Sequence, residues 1–415
     1  MLEIRKRGIA IIVVFLAFVV VATAALVFFS ISYEQEKLVN DEILTAPEVI
    51  QTDAFELVRS LGVGWNLGNA LDSIDNQRMG FTNRLPDNVT PEEHYETLWG
   101  NPVTTPEMIE SIANMGFGSV RVPVTWADNL DENFNIRKDW LLRVEQVVNY
   151  VLDNDMYCII NLHHDSGSGS WPWLRADSEN IGWMKAHLAI VWAQIAEHFR
   201  DYDHRLLFEG FNEILDADSN WTNANKSSHD AVNSLNQVFV DTVRATGGNN
   251  ADRFLVVKTY GARRYAPVLE DFVLPYDSVE HRLIVGVHFY GTHGFTRQQE
   301  EVPWTIAYSN WDYRRNGGLT VMVMDLLREH FVDRGIPVVI TEFGAQNKNN
   351  TADRVRYAVH YVETASQFGI ACFWWDNGGR FENVEDVRNY ALFDRHNNRW
   401  LFPEIAEAIV SVVRQ

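Results

Sequence analysis

"LLFEGFNE", residues 206–213, is a short apolar run that ends on two polar side chains, Asn212 and Glu213, ahead of the polar stretch "ILDADSNW". The run lacks strict alternation, as expected of a strand with both faces buried, which is the condition of parallel sheets. A carboxylate just past such a strand is costly to desolvate, and it marks either a paired charge or a reactive group.

The same phrase recurs along the chain. "LGVGWNL" (61–67), "GSVRVPV" (118–124), "MYCIINL" (156–162), "RFLVVKT" (253–259), "LIVGVHF" (283–289), "PVVITEF" (337–343) and "ACFWW" (371–375) bring the β-type runs to eight. Between them lie helix-period segments, among them "TPEMIESIANMG" (105–116), "WMKAHLAIVWAQIAEHF" (183–199) and "ADRVRYAVHYVETASQFG" (352–369). Several end on Gly, a common helix C-cap. Eight alternating units closed by a last helix, "PEIAEAIVSVV", predict an α/β fold of the (β/α)8 TIM barrel type. A doubly wound open sheet is the alternative, weakened by the lack of a Gly-rich phosphate loop after the first strand. The barrel is expected over 54–415 as one domain, with surplus length in the loops 70–103, 165–182, 212–228 and 290–320. These follow strands 1, 3, 4 and 6 and rise from the C-terminal rim, where barrel active sites sit.

The N-terminus reads differently. Residues 8–33 are uncharged and long enough to cross about 30 Å of hydrocarbon as a helix. Arg5, Lys6 and Arg7 precede the span while Glu34 and Glu36 follow it, which places the N-terminus in the cytoplasm. The expected organisation is a basic tip and signal-anchor or transmembrane segment over 1–32, a polar stalk over 33–53, and a barrel on the extracellular face of the membrane. Cleavage near Ala24, in the pattern Ala22-Thr23-Ala24, would instead release it as a secreted protein.

Composition narrows the partners. A formal charge of −21 argues against nucleic acid, whose phosphates require Lys and Arg surfaces, and suits a neutral ligand. Cys158 and Cys372, the only two cysteines, lie in apolar runs and read as reduced core thiols rather than a disulfide framework. The chain holds 14 Trp, and Trp171, Trp173, Trp221, Trp304 and Trp311 fall in the long rim loops, where they are expected to stack on sugar rings. A monomer is expected.

The strand ends carry the chemistry. They supply Asn66 and Asn69, Arg121, His163 and His164, Asn212 and Glu213, His288 and Tyr290, Glu342, and Trp375 with Asp376. Glu213 and Glu342, three strands apart, would face each other across the mouth, and two carboxylates flanking a cleft are the equipment of glycosidic bond cleavage. "HHD" at 163–165 also invites a metal reading. Neighbouring strand residues point to opposite faces and no third ligand has suitable spacing, so no metal and no cofactor are expected.

Taken in order, "GWNLGNALD", "VRVPVTW", "INLHHD", "FEGFNE", "HFY", "ITEFG" and "FWWDNG" resemble glycoside hydrolase family 5 over residues 55–413, and "WGNP" (99–102) with "MYCIINLHHD" resembles its endoglucanase and xyloglucanase branch. The resemblance implies a retaining endo-β-1,4-glucanase acting on a β-glucan, with xyloglucan, mixed-linkage glucan or mannan as alternatives and an idle carbohydrate-binding barrel as the non-enzymatic one. It also implies roles. Glu213 would be the acid/base and Glu342 the nucleophile. Asn212 would bind the sugar 2-hydroxyl, Arg121 would keep Glu342 ionised, and Tyr290 would donate to it. His163, His164 and His288 would position sugar or tune the two Glu, Trp375 would form a stacking platform, and Asn69 a distal sugar contact. Glu213 is expected to lack a close cation, so that burial and Glu342 raise its pKa.

Overall fold

The computed structural model describes residues 53–75, 90, 92–168, 172–222, 224–298, 306–378 and 389–414. The apolar segment 8–33 and most of the stalk, with Trp171 and Trp304, lie outside these. No described helix is long and apolar enough to cross a membrane.

Eight parallel strands close into a barrel in the order β1 to β8. They are β1 (Val63–Leu67), β2 (Ser119–Val122), β3 (Tyr157–Asn161), β4 (Leu206–Glu209), β5 (Leu255–Lys258), β6 (Leu283–His288), β7 (Val338–Phe343) and β8 (Ala371–Asp376). Each falls within one of the eight runs read from the sequence, or within a residue of it. The helices are α1 (Asp53–Ser60), α2 (Pro106–Met115), α3 (Lys138–Leu152), α4 (Ile181–His198), α5 (Lys226–Ala245), α6 (Ala266–Asp271), α7 (His293–Thr296), α8 (Gly318–His330), α9 (Thr351–Gln367) and α10 (Pro403–Val413). Gly116 ends α2 in the left-handed region, φ 107°, where its N–H reaches the carbonyl of Ala113.

Helices α1, α6 and α7 and one hairpin were not anticipated. Helix α6 follows β5 and is too short for a 3.6-residue period to register. A two-stranded hairpin, β9 (Phe393–Asp394) with β10 (Arg399–Trp400), stands between β8 and α10.

Strand residues alternate between two cores. Outward side chains such as Trp65, Val120, Ile160, Phe208, Val257, Val285, Ile340 and Trp374 pack in one cluster with the surrounding helices. Inward ones, Ile159, Leu207, Val256, Ile284, Val339 and Phe373, form a second cluster with Ala54, Leu57, Val58 and Leu61, so α1 and the residue just after it supply the apolar plug of the barrel. Gly64 is required there, because a Cβ would lie 2.0 Å from the Phe373 ring. This apolar layer fills the lower barrel. The next inward position is polar on six strands, while β6 has Gly286 there, where a Cβ would crowd Lys258, and β8 has Trp375, and there the site begins.

Candidate active site

One step above the apolar layer, the strands present Asn66, Arg121, Asn161, Glu209, Lys258 and Thr341, and His288 reaches in one step higher on β6, all buried. Glu209 is their hub. Its Oε2 accepts from Arg121 Nε at 2.7 Å and Asn161 Nδ2 at 3.0 Å, and its Oε1 accepts from Lys258 Nζ at 2.6 Å. Burial would drive Glu209 toward its neutral form, yet the two cations hold its pKa below the ordinary value. Lys258 also donates to Thr341 Oγ1 at 2.7 Å and approaches His288 Nε2 at 3.1 Å. Burial pulls its pKa down and the Glu209 carboxylate opposes that.

Sequence reading missed Glu209, Lys258, Asn161 and Thr341. A discernible mark was one acid and one base set inside otherwise apolar runs, "LLFEGF" and "RFLVVKT". Neither charge can be buried alone, and Glu209 pairs in register with Val256, two residues before Lys258 on the same face.

Arg121 carries this layer up to the cleft. Its Nη1 donates to Glu342 Oε1 at 2.9 Å and Asn66 Oδ1 at 3.0 Å, and its Nη2 donates to Asn212 Oδ1 at 2.8 Å. Asn212 therefore has its amide oxygen committed and its Nδ2 left to donate elsewhere. Tyr290 donates from its hydroxyl to Glu342 Oε2 at 2.8 Å. His288 Nδ1 lies 2.8 Å from Glu213 Oε1 and 3.4 Å from Glu342 Oε2, bridging the two carboxylates. An oxygen of Glu213 and one of Glu342 lie within 4.8 Å of each other.

The two acids differ in setting. Glu342 side-chain exposure is 8%, against 25% for Glu213. Burial, then the Glu342 charge, push Glu213 up to about 7. Burial raises Glu342 as well, but Arg121, the Tyr290 hydroxyl and Lys258 favour its charged form. In this pair the first proton belongs on Glu213, which has no direct cation partner among the described residues. The expectation of no cation nearby holds for contacts only, since Arg263, Lys258 and Arg121 all act on Glu213 through space. Burial also keeps His288 neutral, its pKa well below the ordinary value, with Lys258 and Arg121 adding to the effect.

On the other side, Trp375 stacks on His163 with ring centroids 5.7 Å apart and 7° between planes. Gly68 lies beneath Trp375, where a Cβ would come within 2.7 Å of the indole. Asn69 sits on the rim turn after β1 with φ 59°, its carbonyl accepting from Asn101 Nδ2 at 2.6 Å.

His163 and His164 do not point to opposite faces. Strand β3 ends at Asn161, and beyond it His163 and His164 converge, each with Nε2 3.8 Å from Asp72 Oδ2. Asp72 supplies the third ligand-type group that spacing did not reveal. Burial raises it to about 7 and lowers His164 to about 4.

Two rim tryptophans are also corrected. Trp173 and Trp311 are buried, at 8% and 6% exposure, so neither ring offers a platform. Trp173 donates from Nε1 to Asp165 Oδ1 at 2.8 Å, and the Trp311 backbone N–H donates to Asp353 Oδ1 at 2.7 Å. Trp221 is half-buried, with the Arg263 guanidinium 4.5 Å above its ring.

Comparison with known proteins agrees with this geometry. A family model described as cellulase (glycosyl hydrolase family 5) matches residues 85–380. The chain is 36% identical to endoglucanase A of Ruminococcus albus over 383 residues, which is 91% of this chain and 97% of that protein. Among solved structures, it is similar to a GH5-4 broad specificity endoglucanase from Ruminococcus champanellensis with bound cellotriose, at TM-score 0.78 and 38% identity, covering 88% of this chain and 99% of that one. It is also similar to a xyloglucan-specific endo-β-1,4-glucanase from a metagenomic library in complex with cellotriose, at TM-score 0.76 and 36% identity, covering 86% and 98%.

Proposed function

Because the chain belongs to glycosyl hydrolase family 5, we propose that the cleft cuts β-1,4-glucosidic bonds inside a glucan chain, with Glu213 as acid/base and Glu342 as nucleophile. The enzyme is an endo-acting β-glucan hydrolase that works with retention. The observation that carries the residue roles is the His288-bridged pair: one carboxyl kept protonated to about pH 7, the other tied to Arg121 and Tyr290. Their close oxygens suit a retaining pair, with carboxyl groups about 5–5.5 Å apart, rather than an inverting one at about 6.5–9.5 Å.

The buried charges explain how the two steps stay balanced. At rest Arg121 and Lys258 are positive, Glu209 and Glu342 negative, and Glu213 neutral. In the first step Glu342 attacks the anomeric carbon and Glu213 gives its proton to the leaving oxygen. Glu342 becomes an ester and loses its charge as Glu213 gains one, so the sum is unchanged. Glu213, now a base, takes a proton from water, and the water opens the ester on the face the leaving group vacated. Each half-reaction moves one negative charge between two sites bridged by a single imidazole. Neither step requires the low-dielectric interior to accept net charge.

Cellulose-like glucan is the reading the relatives favour, and the xyloglucan-specific neighbour keeps xyloglucan as a second one. A panel of soluble glucans with product sizing tests both. Viscosity should fall faster than reducing ends appear, and immediate release of glucose or cellobiose with little viscosity loss would defeat the endo reading.

The protein is further proposed to act as a monomer outside the cytoplasmic membrane, held by its N-terminal segment. The uncharged span 8–33 is flanked by Arg5 to Arg7 and by Glu34 and Glu36. A mature chain starting near Ala25 and free in the medium would remove the anchor, and light scattering showing a stable dimer would remove the monomer.

A further inference from the structure

The layer beneath the catalytic pair holds two donors whose proton directions are forced, and each ends on a histidine ring. A lysine ammonium donates and cannot accept. Lys258 Nζ has two acceptors in Glu209 Oε1 and Thr341 Oγ1, and its third close partner is His288 Nε2 at 3.1 Å. That nitrogen must accept. The neutral ring then carries its proton on Nδ1, where it meets Glu213 Oε1 at 2.8 Å.

Asn161 does the same with the opposite result. Its Oδ1 accepts from the Val124 N–H at 3.1 Å and its Nδ2 donates to Glu209 Oε2 at 3.0 Å, so the amide cannot be turned over. The second hydrogen of Nδ2 meets His163 Nδ1 at 3.2 Å. His163 must accept at Nδ1 and carry its proton on Nε2, on the side of Asp72 and Trp375.

We propose that Glu209 is a positioning residue which, through Lys258 and Asn161, fixes opposite tautomers on the two site histidines: Nδ1–H on His288 and Nε2–H on His163. The His288 proton is thereby always offered to the catalytic carboxylates, and the His163 proton to the sugar side of the cleft. Glu209 touches no reacting atom, and it acts by holding Lys258 charged and Asn161 in one orientation. Lys258 is faced by Glu209 from β4, His288 from β6 and Thr341 from β7, with Arg121 of β2 and Glu342 of β7 acting on it through space. No second acid competes for its contacts among the described residues.

The assignment of Glu213 as the acid gives the tautomers their catalytic meaning, but their existence is measurable without it. Long-range 15N–1H correlation spectra of histidine-labelled full-length protein should show a protonated Nδ1 for His288 and a protonated Nε2 for His163. Reversed or mixed patterns in the wild type overturn the proposal with no variant needed. Lys258→Met keeps an unbranched side chain one heavy atom shorter and removes the donor, so His288 should become a tautomer mixture and kcat should fall on the order of 10–10²-fold, by analogy with the cost of losing a partner that orients a metal-bound histidine. Lys258→Gln retains an N–H toward Nε2 and should restore the Nδ1–H pattern and most of kcat. A merely structural Lys258 would leave the His288 spectrum unchanged in Lys258→Met, which counts against the proposal. If Lys258→Met does not fold, the wild-type and Lys258→Gln spectra decide. If the tautomers are as stated but no β-glucan is cleaved, the functional reading fails and this one stands.

Discussion

Glu209 and Glu213 lie four residues apart in one stretch, "FEGFNE", and the barrel puts them to opposite uses. Glu209 is the last residue of β4 and points into the closed interior, where three donors hold it ionised. Glu213 lies past the strand end, a quarter of its side chain open to the cleft, with one neutral histidine as its only direct partner among the described residues. Both are desolvated. The number of donors decides the outcome: a buried carboxylate with cations on both sides keeps its charge, and one that faces another carboxylate keeps its proton. Fixed charge below and a movable proton above are the division of labour by which one strand serves both scaffold and chemistry.

The sharpest way to test the upper half is to remove its members singly. Glu342→Ala should lower turnover on the order of 10⁴-fold or more, about 5.5 kcal/mol of barrier, even for a substrate with a good leaving group. Added azide should enter from the vacated face and yield the α-azide. Glu213→Ala should cost about 10²–10⁴-fold on an unactivated glucan. An activated aryl glycoside should still form the covalent intermediate, and azide should open it to the β-azide. Proton NMR of early wild-type product should show the β anomer. Exchanged azide stereochemistry would swap the two assignments.

Replacing the carboxyl of each half by an amide should then act very unequally on stability. Glu209→Gln places an amide NH2 among Arg121, Asn161 and Lys258, strips Lys258 of its direct counter-charge and leaves Arg121 with Glu342 alone. Breaking such a pair costs about 3–5 kcal/mol, visible as a lower urea midpoint. Glu213→Gln replaces a group that is already neutral at rest and should leave the midpoint nearly unchanged at pH 5. The comparison collapses if the two variants are equally destabilised.

Much of the upper half was legible in the sequence because its residues end strands. Polar groups at the close of apolar runs named Arg121, His163, Asn212, Glu213, His288, Tyr290, Glu342 and Trp375, and the structure brings all of them to one mouth. The lower half was hidden by its own satisfaction. Glu209 and Lys258 sit inside their runs, and a charge neutralised by a partner on a neighbouring strand leaves no trace in either strand alone. Asp72 was hidden for another reason, because it joins His163 and His164 only through the turn after β1. The rim tryptophans misled because loop length says nothing about whether an indole packs inward, as Trp173 and Trp311 do.

A smaller effect separates the two acids by pH. As pH rises through about 7, Glu213 loses the proton it must give, so kcat/KM on a glucan should fall about tenfold per unit above that point. The same shift has a stability sign. The folded value is raised above the ordinary 4.5, so the native state binds more protons than the unfolded chain between 4.5 and about 7. Its contribution is fully present below the unfolded pKa and is lost as pH rises through the folded one. Glu213→Gln should flatten the stability curve in that window, where Glu209→Gln should not. An alkaline limb near pH 5 in the wild type would mean that Glu213 is not held up by burial and Glu342.

The smallest expected effect is none, and it tests how far the lower layer reaches. Asp72, His163 and His164 gather three ligand-type atoms within 4.8 Å of one another, a spacing a divalent cation could draw together. A metal needs the lone pair of His163 Nε2, and the Asn161 amide, held by Glu209 and Val124, spends the Nδ1 lone pair instead and leaves Nε2 protonated. Ligation would require the ring to move its proton to Nδ1, against an N–H already pointing there. Prolonged dialysis against EDTA should therefore leave kcat/KM within about twofold, a free-energy difference of about 0.4 kcal/mol, and added Zn²⁺ should not raise it. Activity lost to chelation and restored by the ion would show that the His163 tautomer is not fixed from below, and would cut the link between Glu209 and the sugar side of the cleft.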